Sequence, residues 1–140
     1  MKIVWVFIVL GIAVLSHQAH AISPLQEIYP GHEDFGLSFD IHSVRLADGE
    51  IQFTVKVKEG SLNFNQGYGA ALSVVRSEGA DRPIRSLQSK RQGNVVEITF
   101  SVTERELQNP DLSFYFTMPL PNRMPGFYGY FAFLRNYLKP

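Results

Sequence analysis

Apolar and polar residues alternate strictly in two segments of this 140-residue chain. In residues 51–57 and again in residues 96–102, every second side chain is apolar and those between are polar or charged. Neighbouring side chains of a β-strand point to opposite faces, so this alternation predicts strands with one buried and one solvated face. Residues 112–118 give a similar pattern. We therefore expect a protein organised around β-sheets.

Turn signals separate these strands at short intervals. An Asp-Gly turn at positions 48–49 joins residues 37–46 to residues 51–57 and predicts a hairpin. The apolar positions of residues 37–46 change parity part-way along, which predicts a β-bulge near Ser43.

The number and spacing of the strands indicate a fold class. Seven to eight short strands predict an all-β protein, a single antiparallel β-sandwich with an Ig-like or transthyretin-like arrangement. Thr103 and Glu106 have the spacing of a capping box, which predicts one short helical turn at residues 104–108. The sandwich domain would span residues 22–140, with residues 22–36 as an irregular N-terminal arm.

Residues 129–138 are apolar on both faces of a strand, as in a central strand covered on both sides. Phe127, Phe131, Leu134 and Leu138 also recur at helical spacing, so a helix is the alternative. The aromatic and glycine content favours the strand.

The first 21 residues have the features of a secretory signal peptide. Lys2 supplies a positive start, residues 3–15 are apolar, and an Ala-x-Ala cleavage site ends at Ala21. The apolar run is too short for a stop-transfer helix. We therefore expect cleavage after Ala21 and a periplasmic or secreted protein.

Charge and cysteine content exclude several classes of protein. Without the signal peptide, the chain has 12 Lys and Arg residues and 13 Asp and Glu residues, which gives a net charge of −1. This balance excludes a strongly basic nucleic-acid-binding domain and a polybasic membrane-surface protein. The chain has no Cys, so we expect neither disulfides nor a lipid-anchoring thiol, and no stable membrane anchor.

Motifs typical of catalysis are missing from the sequence. It has no G-x-S-x-G motif, no Cys nucleophile and no phosphate-binding glycine loop. We therefore expect a non-enzymatic protein without a cofactor.

A proline-rich loop is the strongest candidate for a binding site. Three prolines between residues 119 and 125 fix three φ angles and predict a stiff, extended loop. A pre-organised loop loses less entropy on binding, and binding residues concentrate on the loops of rigid scaffolds. We predict that residues 119–130 contact an unidentified protein partner. The predicted contact residues are Leu120, Arg123, Met124, Phe127 and Tyr128, with Tyr68 from a separate turn.

Aromatic residues are concentrated in the last third of the chain. Nine of the 16 aromatics that follow the signal peptide lie between residues 114 and 137. Most of these rings should be buried. Tyr128 and Tyr130, beside the loop, are the candidates for solvent exposure.

Two alternative functions remain open. His32, Asp40 and His42 lie within eleven residues, and Asp40 and His42 share one strand face. Imidazole and carboxylate are ligands of divalent metals, so a periplasmic metal-binding protein is one alternative. The other is an inhibitor of a secreted or periplasmic hydrolase that presents Arg123 or Met124.

A basic segment is the remaining charged feature. Residues 76–91 carry five Arg and Lys against two acidic residues, a net charge of +3. This segment would attract an anionic partner or form a solvated loop.

Overall fold

The computed structural model describes residues 25–30, 36–76, 79–80, 83–120 and 126–139. These residues are mostly β-strand with little helix, which confirms the predicted all-β class. The strands are β1 (Leu25–Glu27), β2 (Leu37–Arg45), β3 (Ile51–Glu59), β4 (Gly69–Arg76), β5 (Gly79–Ala80), β6 (Arg85–Ser86), β7 (Ser89–Gln92), β8 (Val95–Val102), β9 (Leu112–Pro119) and β10 (Phe127–Phe133). The helices are α1 (Glu104–Leu107) and the 3₁₀ helices Phe64–Gln66 and Leu134–Tyr137. None of these helices is long and apolar enough to cross a membrane.

The strands form two sheets. Sheet A has six strands in the order β1-β10-β9-β4-β5, with β6 also paired to β4. Sheet B has four strands in the order β2-β3-β8-β7. All pairs in both sheets are antiparallel except β1 with β10, which is parallel. The described residues thus form ten strands, where the sequence predicted seven or eight.

Alternating side chains supply the core, as the sequence predicted. Every apolar side chain on the inward face of β3, β8 and β9 is buried. Phe53 stacks on Phe100 within sheet B at 5.5 Å between ring centroids. Phe100 in turn stacks on Phe114 of sheet A at 6.2 Å. Contacts of this kind connect the side chains of the two sheets.

The predicted bulge near Ser43 is wrong. The β2–β3 register runs without interruption from Leu37 opposite Glu59 to Arg45 opposite Ile51. Ser43 is buried on the inward face, while Val44 is exposed on the outward face. The parity change in the sequence reflects a serine at a core position, where its hydroxyl has hydrogen-bond partners.

Those partners lie in the C-terminal segment. Ser43 Oγ donates to the carbonyl of Tyr137 at 2.5 Å and accepts from the backbone N–H of Lys139 at 3.3 Å. The hydroxyl of Tyr137 donates to the carbonyl of Ile28 at 2.9 Å. The C-terminal segment is therefore tied to β2 and to the chain that follows β1.

Three local predictions can be compared with the structure. The segment predicted as strand or helix forms β10 up to Phe133 and then a 3₁₀ helix. The N-terminal arm, predicted to be irregular, contains β1. In α1, the Thr103 side chain caps the Glu106 N–H and the Glu106 carboxylate accepts from the Thr103 N–H, as the capping box predicted.

Candidate binding surface at the loop end of sheet A

The predicted binding loop connects β9 to β10. Phe127 pairs with Pro119 at the end of this hairpin. Beyond the pair, the N–H of Leu120 donates to the carbonyl of Gly126 at 3.2 Å. Gly126 has φ +114°, a conformation that a residue with a Cβ rarely adopts. The base of the loop is therefore held by backbone hydrogen bonding on a rigid hairpin.

Leu120 does not have the predicted exposure. Only 8% of its surface is accessible, so it is buried at the loop base. An apolar side chain beside the hydrophobic end of β9 is more stable packed than solvated. Leu120 thus anchors the loop and is withdrawn as a contact residue.

Arg123 and Met124 lie in residues 121–125, outside the described part of the chain. Their predicted role as contact residues stays a prediction.

Phe127 and Tyr68 come together at this end of sheet A. Phe127 is 48% exposed, an unusual value for a phenylalanine on a sheet. With Tyr68 it lines an open depression of about 320 Å³. The other lining residues are Gly69, Thr117, Met118, Pro119 and Gly126. Two predicted contact residues from distant parts of the sequence therefore share one concave surface.

Tyr68 is held rigidly by other aromatic rings. Its ring stacks on Phe116 at 5.8 Å and meets Phe64 edge-on at 5.3 Å. Its hydroxyl lies 3.4 Å from Ser89 Oγ. A fixed, partly exposed tyrosine offers contact area to a partner at low entropic cost.

Gly69 lines the depression, and it has no side chain that could extend into it. A Cβ added there would lie 3.2 Å from Thr117 Oγ1, which is tighter than ordinary packing. The predicted contact segment, residues 119–130, included Pro119, but the sequence did not single out Gly69 or Thr117 as site residues. Gly69 and Thr117 are joined by the β4–β9 pairing, which the local pattern does not encode.

The two tyrosines that follow Phe127 are packed inward. Tyr128 is half-buried against the core, and Tyr130 is almost fully buried. The expected exposure of Tyr130 is therefore wrong. Tyr128 and Phe127 are consecutive residues of β10, so their side chains leave opposite faces of sheet A.

The histidine and acid cluster is only partly described. Asp40 and His42 lie on the outward face of β2, with His42 Nε2 2.9 Å from Asp40 Oδ1. His32 lies outside the described residues, as do Glu33 and Asp34. Within the described part of the chain, no three His, Cys, Asp or Glu side chains are grouped so that they could hold a metal ion.

Two arginines of the basic segment, Arg85 and Arg91, are engaged within the protein. Arg85 donates to Glu106 at 2.9 Å and to the carbonyl of Ser101 at 2.7 Å. Arg91 donates to Asn65 at 3.0 Å, with its guanidinium 5.7 Å from the centre of the Phe64 ring. These contacts leave the two side chains less available to an anionic partner.

A scan of protein families finds no match to this chain, and searches of curated proteins and of solved structures return no significant match.

Proposed function

We propose that this protein is an exported, non-enzymatic binding module with a β-sandwich architecture of Ig-like or transthyretin-like type. Its binding surface is the loop end of sheet A, formed by Pro119, residues 121–127 and Tyr68. The partner is another protein. The observation that carries this proposal is the half-exposed Phe127 beside Tyr68 in one depression at the base of the loop.

Three properties of this surface support protein binding. Aromatic side chains are enriched in protein interfaces and dominate their energetics. The described lining residues carry no charge, so little charge has to be desolvated on contact. The neighbouring residues 121–125 add Arg123 and Met124, both of interface-enriched types.

The proposed location follows from the N-terminal segment. Export with cleavage after Ala21 would place the domain in the periplasm or outside the cell. N-terminal sequencing of the exported protein should then begin at Ile22. Recovery of an intact chain beginning at Met1 in the cytosol would contradict the proposed location.

The binding proposal is tested by affinity capture from a preparation of exported proteins. Phe127→Ala and Arg123→Ala should each weaken capture of the partner roughly 5- to 150-fold, as truncation of an interface hot spot does. Ile84→Ala is the matched control, since Ile84 is a similarly exposed apolar residue that does not line the depression. Undiminished capture by both site variants would refute the proposed surface.

The loop between β9 and β10 also favours a more specific candidate function, inhibition of a hydrolase. The Leu120–Gly126 hydrogen bond already holds the base of the loop, so less entropy is lost when the loop binds a hydrolase. In this case a purified hydrolase would be inhibited by the wild type and much less by Arg123→Ala or Met124→Ala. Capture of a partner that is not a hydrolase would favour the general binding module.

A further inference from the structure

Sheet B has one long strand at its edge. Among the described residues, β2 pairs only with β3, over nine residues. The other terminal strands are short, since β1 has three residues, β7 has four and β5 and β6 have two each. A long open edge offers unpaired N–H and C=O groups to another strand, whereas short edges are protected.

The hydrogen-bonding pattern between β2 and β3 shows which backbone groups of β2 point away from β3, to the open side of the sheet. The N–H of Leu46 donates to the carbonyl of Glu50, and the N–H of Gly60 donates to the carbonyl of Gly36. Both bonds continue the β2–β3 register, so the even-numbered residues of β2 exchange hydrogen bonds with β3. The backbone groups of Phe39 and Ile41 therefore point to the open side. No hydrogen bond from the described residues reaches them there.

The open side of β2 is also apolar. Phe39 and Ile41 face the core, and the ring of Phe39 lies 5.8 Å from that of Phe116. Both side chains nevertheless remain partly exposed, whereas Val57 and Val55, their neighbours on β3, are completely buried. The solvent-accessible parts of the Phe39 and Ile41 side chains therefore lie at the open edge of β2, where an added strand would cover them.

Charge on the outward face selects one register for self-pairing. In an antiparallel pair of β2 strands, the odd-numbered residues, whose backbone groups point to the open side, lie opposite each other, so the allowed registers differ by two residues. Pairing centred on Ile41 places Asp40 opposite His42 of the second copy, twice. The adjacent registers place Asp40 opposite Asp40, which sets two like charges directly opposite each other and is destabilising, or His42 opposite His42, which forms no Asp–His pair.

The same register extends a charge pattern already present in sheet B. Cross-strand pairing aligns residues of alternating sign in one row, Lys90, Glu97, Lys56 and Asp40. His42 of a second copy would follow Asp40 as the next member of this row. Within its own copy, His42 lies opposite Thr54 on β3.

We propose that two copies of this chain associate through antiparallel pairing of their β2 strands about Ile41. Two four-stranded sheets then become one eight-stranded sheet. Ser43 takes part with its backbone only, because its side chain already bonds the C-terminal segment. One edge strand per copy is a small interface, so the dimer is weak and depends on concentration. This proposal is independent of the surface at the loop end of sheet A.

Sedimentation velocity over a concentration series measures the dimer directly. Asp40→Lys and His42→Glu should each weaken dimerisation roughly tenfold, because each removes both Asp40–His42 pairs, and His42→Glu also sets carboxylates opposite each other. The double variant Asp40→Lys/His42→Glu restores opposite charges and should dimerise nearly as well as the wild type. Lys90→Glu, on the far edge strand, is the matched control and should have no effect.

Thermal melts accompany every variant, and Asp40→Asn replaces Asp40→Lys if the latter unfolds. A wild type that stays monomeric at millimolar concentration would overturn the proposal. So would a dimer that tolerates the single charge reversals, or one that the double variant fails to restore.

Discussion

A buried hydroxyl at position 43 performs a structural task that an apolar side chain would not. Ser43 links the edge strand β2 to the C-terminal segment through one donated and one accepted hydrogen bond. Buried polar groups are stable in a core only when such partners are present. The serine therefore fixes where the end of the chain lies.

Removing this hydroxyl should loosen the C-terminal segment. Ser43→Ala deletes both hydrogen bonds and leaves the N–H of Lys139 without its partner, which should cost about 1–2 kcal/mol of unfolding free energy. Urea unfolding measures the loss. Ser38→Ala, a half-buried position on the outward face of the same strand, is the control and should change stability by less than about 0.5 kcal/mol. Equal effects at both positions would refute the proposed role of Ser43.

The raised pKa of Tyr137 predicts that the free energy of unfolding falls at alkaline pH. Burial, together with the nearby negative charge of Glu27, raises the pKa of Tyr137 to about 12 from an ordinary value of 10.0. A tyrosine whose pKa is higher in the folded state than in the unfolded state keeps its stabilising contribution below the unfolded pKa. That contribution is lost as the pH rises from about 10 towards 12.

The measurement is the unfolding free energy of wild type and Tyr137→Phe between pH 9 and 12. The wild type should lose stability faster than the variant across this range, because phenylalanine does not ionise. Parallel curves would show that Tyr137 ionises equally readily in both states.

At the scale of single elements, alternation predicts burial well where a strand has one solvated face. The inward apolar positions of β3, β8 and β9 are all buried. The very short strands β1, β5 and β6 are defined by backbone pairing alone, and a period of two cannot be recognised in two or three residues. The alternation gave a wrong prediction, a β-bulge near Ser43, because a polar residue occupies an inward position there.

The stacked pair between β3 and β8 should dominate the stability of sheet B. Phe53→Ala removes a completely buried ring that stacks on Phe100, and should cost about 3–5 kcal/mol of unfolding free energy. Chemical denaturation gives this value. Thr54→Ala, the next residue on the outward face, should cost less than about 1 kcal/mol. A reversed order would mean that the strand presents the other face to the core.

At the scale of the whole molecule, the candidate site could be predicted only in part. Local composition located the loop because prolines have a direct conformational effect. The predicted exposure of Leu120 and Tyr130 was wrong, because the exposure of a side chain depends on what the rest of the fold places beside it. The meeting of Tyr68 with Phe127 likewise depends on long-range pairing of β4 with β9, which no local pattern contains.

Site-specific photo-crosslinking tests the proposed binding surface most directly. A photoreactive phenylalanine analogue replaces Phe127 in one variant and Ile84 in the other, and both are irradiated in a preparation of exported proteins. Both positions are about half exposed, so folding should be preserved in each. We expect one discrete adduct with another protein from position 127 and none from position 84. No adduct from position 127, or the same adducts from both positions, would contradict a binding surface at the loop end of sheet A.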